Sequence, residues 1–369
     1  MTASTHVRTP ADEPQPGRGG WRTHAFRLVK AATTPLLPED YVDLFDPLRS
    51  TTLLRGRVES VTHETADAVT VVIRPGRGWR GYRPGQYTRI GVDVDGVRLW
   101  RAYSITSGPR QDGCIAITVK AISGGAVSTH LVGSLHVGQV LQMEQADGEF
   151  VLPEVLPSKI LLLTGGSGIT PVMGMLRHTL DRLDDVVLLH SAPRPEDVIF
   201  ASELRALATD GRMSLQERHT DVHGMLDTAA LDELVPDWRD RETFACGPAG
   251  MLEALENHWE TAGLADQLHT ERFRPALAEP GDGGTVHFTA LGKDVQCDGA
   301  RPILDVAEEA GVLMPSGCRM GICFGCVLPL REGSVRDLRT GETTTASPGD
   351  GVLVQTCISA AAGRCDIDL

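Results

Sequence analysis

Cys318, Cys323, Cys326 and Cys357 are spaced C-x4-C-x2-C, followed after thirty residues by the fourth cysteine. Three thiolates from one loop and a fourth from a distant strand form the ligand spacing of a plant-type [2Fe–2S] cluster, which takes up one electron at a time. Zinc sites favour two separated C-x2-C knuckles, and only Cys323 and Cys326 make one; a disulfide pair is the other alternative. The loop from Pro315 to Cys326 also holds Gly317, Gly321 and Gly325. These remove side chains that would keep the backbone N–H groups away from the cluster sulfurs.

Four further segments carry chemistry. Arg101-Ala102-Tyr103-Ser104 sets a cation, an aromatic ring and a hydroxyl along one stretch. Such a set pairs a phosphate, lies against a flat ring and hydrogen-bonds a ring nitrogen, although an ordinary surface strand reads the same way. Downstream, Lys120 ends an apolar stretch that runs into Gly124-Gly125, then Val127, Ser128 and Thr129 at a helix start. Free backbone N–H groups at such a start hold a pyrophosphate. Thr164-Gly165-Gly166-Ser167-Gly168-Ile169-Thr170-Pro171 follows an apolar run, with Pro171 in place of the third glycine of the dinucleotide fingerprint. Proline is favourable in a first helical turn. The last segment, Cys246-Gly247-Pro248 with Met251, repeats the passage from strand end to helix start. Two such loops at the carboxyl ends of parallel strands border one crevice, the expected dinucleotide site. No acid follows residues 186–189 where a ribose 2′-hydroxyl would be bound. Ser191, Arg194 and Arg218 would instead receive a 2′-phosphate, favouring NADPH over NADH; solvated loop residues are the plain alternative.

The elements that must position these groups change character along the chain. Residues 52–152 alternate polar and apolar over short segments punctuated by Gly and Pro, predicting an antiparallel β-barrel. From 159 onward, buried-type runs at 160–163, 186–189 and 243–245 alternate with helical stretches at 172–183 and 249–262, predicting a parallel sheet of βα units. Residues 274–284 read as a linker. The cysteine-bearing segment 285–369 reads as a hairpin at 286–295, a helix at 303–310, the loop, and a final strand near 365–369. The expected domains are thus an extension at 1–50, the barrel at 51–153, the α/β domain at 154–274, a linker at 275–284 and a β-grasp-like α+β domain at 285–369. Within the extension, residues 1–16 read as disordered and 36–47 as a short helix or turn. The stretch from Trp21 to Lys30 is basic and amphipathic, reading either as a helix packed on the barrel or as a weak membrane-surface contact.

With 369 residues, 41% hydrophobic, the chain has room for several packed cores. No apolar run is long enough to span a bilayer, and the opening residues show no apolar signal segment. Eight cysteines without a secretory signal point to a reducing, cytoplasmic setting; Cys114, Cys297 and Cys365 read as packing residues. A formal net charge of −14 argues against nucleic acid as a partner.

Arg-x-Tyr-Ser, Gly-Gly-Ser-Gly-Ile-Thr-Pro and Cys-Gly-Pro, in this order and followed by the cysteine pattern, resemble the ferredoxin–NADP reductase superfamily of flavoproteins fused to a C-terminal plant-type ferredoxin domain. The resemblance covers roughly 52–369 and lies nearest to high-GC bacterial reductases that feed oxygenases and fatty-acyl desaturases. It implies that Arg101 holds the flavin phosphate, Tyr103 packs on the flavin with Ala102 beside it, and Ser104 sits near its reactive nitrogen. Gly125, Ser128 and Thr129, with Lys120 and Val127, would cradle the pyrophosphate of FAD rather than FMN. Thr170 and Cys246 would flank the nicotinamide and position it, although Cys246 also reads as a small buried hydrophobe. Glu271 and Phe273, in His269-Thr-Glu-Arg-Phe, would close over the flavin.

Electron counting gives the implied activity. NAD(P)H yields two electrons together, the cluster accepts one, and a flavin converts between them. The implied path is NADPH, FAD, [2Fe–2S] and an external protein: a fatty-acyl desaturase, a Rieske hydroxylase or a cytochrome P450. The enzyme is expected as a monomer in the cytoplasm, with placement at the inner membrane face as the variant. A redox sensor whose cluster state controls partner binding is the competing function, but a complete hydride-accepting module is superfluous for it. An electron-bifurcation or assembly subunit is disfavoured because all three carriers already form a self-sufficient chain.

Overall fold

Strand β2 (Ala68–Pro75) buries Val69, Val71 and Ile73 and leaves Thr70 and Val72 half-buried, the period-two signature of a sheet with one face on a core. The computed structural model describes residues 46–50, 53–94, 97–122, 125–273, 280–317, 319, 321 and 324–369. β2 pairs antiparallel with β1 (Arg55–Thr65) and β5 (Ile115–Lys120); β3 (Tyr87–Val94), β4 (Val97–Ser104) and β6 (Val140–Met143) complete the order β4-β3-β6-β1-β2-β5. The two edges meet where Ile105 bridges Ile117 and Thr106 N–H donates to the Ala116 carbonyl at 2.8 Å, which closes the sheet into a barrel. Helix α1 (Ala126–Gly133) seals it with Val127 and Leu131.

The second sheet is parallel, in the order β11-β10-β7-β8-β9: β7 (Lys159–Gly165), β8 (Asp185–Ala192), β9 (Ser214–His219), β10 (Glu242–Cys246) and β11 (Leu268–Glu271). Its central strands are buried end to end because helices cover both faces. α2 (Ile169–Thr179) and α3 (Ala201–Thr209) pack Val172, Leu176 and Leu204 on one face. On the other, α4 (Thr220–His223) and α5 (Leu231–Leu234) precede α6 (Ala249–Thr261), whose Leu252, Leu255 and Trp259 close a second core with Trp238. The helix expected at 172–183 instead begins at Ile169, directly after a 3-10 turn at Gly166–Gly168, and relaxes into a second 3-10 turn at Leu180–Arg182. The glycines belong to a tight turn that already feeds the helix.

The third unit has the sheet order β13-β12-β17-β14-β15, with β16 pairing β14. Its elements are β12 (Gly284–Phe288), β13 (Lys293–Cys297), α7 (Ile303–Glu309), β14 (Val327–Asp337), β15 (Thr343–Ala346), β16 (Val352–Gln355) and β17 (Ser359–Ile367). β17 starts six residues before the strand expected at 365–369, because Ala360 and Ala361 pair with β14 before a register shift. The fold class is therefore a flavin-type antiparallel barrel, a parallel α/β unit and a ferredoxin-type α+β unit.

The stretch from Trp21 to Lys30, most of 36–47 and residues 274–279 of the linker lie outside the described residues. Among the described residues, no helix is long and apolar enough to cross a membrane.

Candidate functional site

β4 carries Arg101, Ala102, Tyr103 and Ser104 in succession, so Arg101 and Tyr103 share one face and Ala102 and Ser104 the other. Arg101 Nη1 donates to the Trp100 carbonyl at 2.8 Å. Burial, and after it the positive charge of Arg319, pull the Arg101 guanidinium down to about 10. A half-buried cation whose hydrogen bond goes to a carbonyl is suited to an incoming anion, which fits a flavin phosphate. Burial raises the Tyr103 hydroxyl, so Tyr103 presents a neutral ring.

Gly125 caps α1, and a Cβ there would lie 2.5 Å from both Ile122 Cγ1 and Ser128 Oγ. Ser128 is buried and spends its hydroxyl locally: Oγ donates to the Gly125 carbonyl at 3.1 Å and accepts from Ile122 N–H at 3.2 Å. Val127 belongs to the barrel core, leaving only its backbone for a ligand. Thr129 is exposed. Lys120 bonds Asp67 at 2.6 Å, so its ammonium is held by a neighbouring loop rather than left free for a phosphate.

The glycine loops of the second unit lock into each other. A Cβ on Gly168 would stand 2.0 Å from the Cys246 carbonyl oxygen, and one on Gly165 would stand 2.7 Å from Pro248 Cδ. These two glycines are thus required by contact between the β7 and β10 loops, whereas Gly166, at φ +54°, faces open space. Thr170 is buried and donates to the Ser167 carbonyl at 2.9 Å, pinning the turn into which Pro171 fits. Met251 lies over Gly247 and Gly165. The Cys246 thiol is fully buried and raised well above its ordinary value, first by desolvation and then by the Glu271 charge. It is a neutral packing thiol, unfit as a nucleophile at neutral pH.

In the parallel register, Ser191 stands beside Gly165 on one side and Arg218 on the other, at the carboxyl edge where a nucleotide is expected. The Arg218 Nε is buried with no partner among the described residues. Arg194 is exposed and paired with Asp197 at 3.0 Å and Glu196 at 3.4 Å, which separates it from Arg218 in role.

Glu271 pairs in register with Cys246, and burial lifts its carboxyl to about 7; Phe273 follows it, partly exposed. The raised value means that the fold favours the protonated acid. The stabilisation is complete below the ordinary carboxylate range and is lost as pH rises towards about 7. Glu271→Gln is expected to flatten the fall in thermal stability between about pH 5 and pH 7. An unchanged slope would assign that titration to another group.

Cys326 and Cys357 are buried in the core of the third unit, while Cys318 and Cys323 lie outside the described residues. Thr356, beside Cys357, donates from its N–H (3.2 Å) and its hydroxyl (3.0 Å) to the Cys326 carbonyl, and Gln355 Nε2 donates to the Gly321 carbonyl at 3.0 Å. Gly321 has φ +76°, and a Cβ on it would lie 2.8 Å from Arg339 Nη1. The fourth cysteine, expected on a strand, lies instead in the turn between β16 and β17, and a loop tied to that turn and closed to side chains fits a sulfur-ligated cluster. Cys114, Cys297 and Cys365 are buried; desolvation raises Cys297 to about 11 and Cys365 to about 12, so both stay protonated.

Two groups escaped sequence reasoning. Arg177 on α2 ties the barrel to the α/β unit: Nη1 donates to the Thr106 carbonyl at 2.8 Å, Nε bonds Glu203 at 2.9 Å, and the guanidinium lies 4.7 Å above the Phe200 ring. Nothing distinguishes it in sequence from a solvated helix arginine. Arg319, inside the C-x4-C spacing, pairs with Asp305 and with Glu308 at 2.6 Å, and all three charges act on Arg101. Its position within the motif was the available signal.

Comparison with known proteins agrees with this arrangement. Residues 57–152 match the oxidoreductase FAD-binding domain, 162–257 the oxidoreductase NAD-binding domain and 288–362 the 2Fe-2S iron-sulfur cluster binding domain. An NADPH oxidoreductase of Mycobacterium tuberculosis is 49% identical over 361 residues, covering 95% of this chain and 93% of that protein. A glycine betaine monooxygenase reductase subunit of Pseudomonas aeruginosa is 30% identical over 308 residues, covering 75% and 84%. In fold, the chain is similar to phthalate dioxygenase reductase, with a TM-score of 0.60 at 22% identity over 86% of this chain and 98% of that one.

Proposed function

The chain belongs to the oxidoreductase family that joins an FAD-binding domain, an NAD-binding domain and a 2Fe-2S ferredoxin domain, and on that premise we propose that it is the NADPH-dependent reductase component of an oxygenase-type system. It is an electron-transfer enzyme whose cofactors are FAD, NAD(P)H and a [2Fe–2S] cluster. The flavin, when bound, supplies the conversion between paired and single electrons. Relatives are named as reductase components of glycine betaine monooxygenase and 3-ketosteroid-9-alpha-monooxygenase. By that analogy the acceptor here is an external oxygenase-type protein: a desaturase, a Rieske hydroxylase or a cytochrome P450.

The observation that carries the reading is the succession of an FAD-binding, an NAD-binding and a 2Fe-2S domain over residues 57–152, 162–257 and 288–362 of one chain. It supports passage of electrons from the flavin site to the cluster within that chain. In this reading Arg101 holds the flavin phosphate and Tyr103 covers the ring, with Ala102 and Ser104 on the opposite side of β4. The backbone of Gly125, Val127 and Thr129 faces the pyrophosphate. Thr170 and Cys246 shape the nicotinamide pocket, and Glu271 and Phe273 close over the flavin. Cys318, Cys323, Cys326 and Cys357 hold the cluster.

NADPH is preferred over NADH because Arg218 offers a buried, unpartnered Nε beside Ser191. Arg218→Ala is expected to raise KM for NADPH about tenfold, the worth of one hydrogen bond to a charged group, and to leave KM for NADH unchanged. Equal effects on both nucleotides would remove the 2′-phosphate role.

Anaerobic stopped-flow mixing with NADPH, and separately with NADH, tests the whole reading. Loss of flavin absorbance followed by loss of cluster absorbance, faster with NADPH, is the expected result. Flavin bleaching without cluster bleaching would overturn it.

A further inference from the structure

The cysteine loop has one side turned inward and one turned out. Arg319 is on the inward side: its side chain is only 13% exposed, it is paired with α7, and its charge reaches Arg101 on the flavin barrel. Five residues later Phe324, between Cys323 and Cys326, is 66% exposed. It stands there at φ 56°, a left-handed conformation that a bulky residue rarely holds. A backbone outlier of this kind persists where the surrounding structure imposes it, and such outliers cluster at functional sites.

A second exposed apolar side chain stands on the strand that is tied to the loop. On β16, Val354 is buried in the core, so Leu353 and Gln355 project together from the other side. Gln355 reaches the Gly321 carbonyl of the cysteine loop, and Leu353 is 63% exposed. Phe324 on the loop and Leu353 on the strand tied to it are thus both exposed apolar residues.

We propose that Phe324, with Leu353 beside it, is the docking contact for a protein one-electron acceptor that offers an apolar recess within a basic face. The proposal rests on the reductase reading above and adds the place where the electron leaves. Arg319 is taken up by its ion pairs with Asp305 and Glu308 of α7, so a protein acceptor meets this loop at its exposed aromatic residue, Phe324. An aromatic side chain standing out of a surface is the kind of anchor that dominates protein interfaces. The partner's basic character follows from this chain's net charge of −14, which steers a cationic face towards it. In the transfer the cluster is oxidised by one electron and the acceptor reduced by one, with no bond made or broken.

Cytochrome c, a basic one-electron acceptor, is the probe, used with the holoenzyme and NADPH. Phe324→Ala is expected to raise KM for cytochrome c at least about tenfold, as loss of an interface anchor does, while Phe324→Trp keeps it near the native value. Turnover with ferricyanide, and the NADPH-driven bleaching of cluster absorbance, are expected to stay within about twofold of native in both variants. An unchanged KM in Phe324→Ala overturns the docking surface. So does a parallel fall in cluster bleaching, which would make Phe324 a support of the loop. If the native enzyme bleaches its flavin and never its cluster, the reductase reading itself fails and the docking surface fails with it.

Discussion

A Cys357→Ala enzyme is expected to lose more than about a hundredfold of its NADPH–cytochrome c activity while retaining ferricyanide turnover. Even partners outside the first coordination shell are worth 10–100-fold at metal centres, and a thiolate ligand is worth more. Cys357 is buried at the start of the turn into β17, and its neighbour Thr356 makes two hydrogen bonds to the Cys326 carbonyl. Its removal therefore strikes the cluster and the support of the loop together. The third unit's core holds no residue of the flavin barrel or the nucleotide unit, which is why a small anionic acceptor drawing on the flavin should still be served. Visible spectra and iron content check the first half and steady-state assays the second. Loss of both activities would mean that the third unit is needed for the other two to fold, and retention of both would remove Cys357 from the ligand set.

Gly168→Ala should slow NADPH-driven flavin bleaching about a hundredfold. The new Cβ would start 2.0 Å from the Cys246 carbonyl oxygen and 2.4 Å from its carbon, so the β7 and β10 loops must separate by about 1 Å. These are the two loops expected to hold the nicotinamide, and a displacement of that size costs about 10²-fold when it moves reacting groups out of line. Overpacking of this kind also costs about 1–3 kcal/mol of stability. A rate within about threefold of native, with stability lowered, would show that the loops yield without carrying the nucleotide. Gly166→Ala is the contrast: no neighbouring atom lies within 4 Å of its Cβ, and only the φ of +54° opposes it.

The motifs were legible because each is a local demand on backbone chemistry. A C-x4-C-x2-C loop, a glycine turn feeding a helix and an alternating strand all show themselves within a dozen residues. Reading them in order yielded three units of distinct type, which the sheets and the domain matches bear out. The reason for a glycine was harder to read. Gly165 and Gly168 look like phosphate-cradling positions, but contact with Pro248 and Cys246, some eighty residues away, also forbids a side chain at each. Lys120 and Arg194 look like phosphate ligands, but one is held by Asp67 and the other by Asp197, partners that no motif specifies.

The sequence by itself determined the carriers. Ligand type and spacing at the cysteines name a cluster, and glycine and hydroxyl placement at the strand ends, through the family these motifs resemble, implies a flavin and a nicotinamide. Only the tertiary structure decided how the carriers are joined. Arg177 reaches from the nucleotide unit to the Thr106 carbonyl of the barrel, and the charge of Arg319 acts on Arg101. Burial, which no local pattern contains, turned Glu271 into an acid titrating near 7 and Cys246 into an inert thiol. Distances between units and the dielectric around a side chain depend on how separate cores pack, and residue spacing along the chain does not encode them.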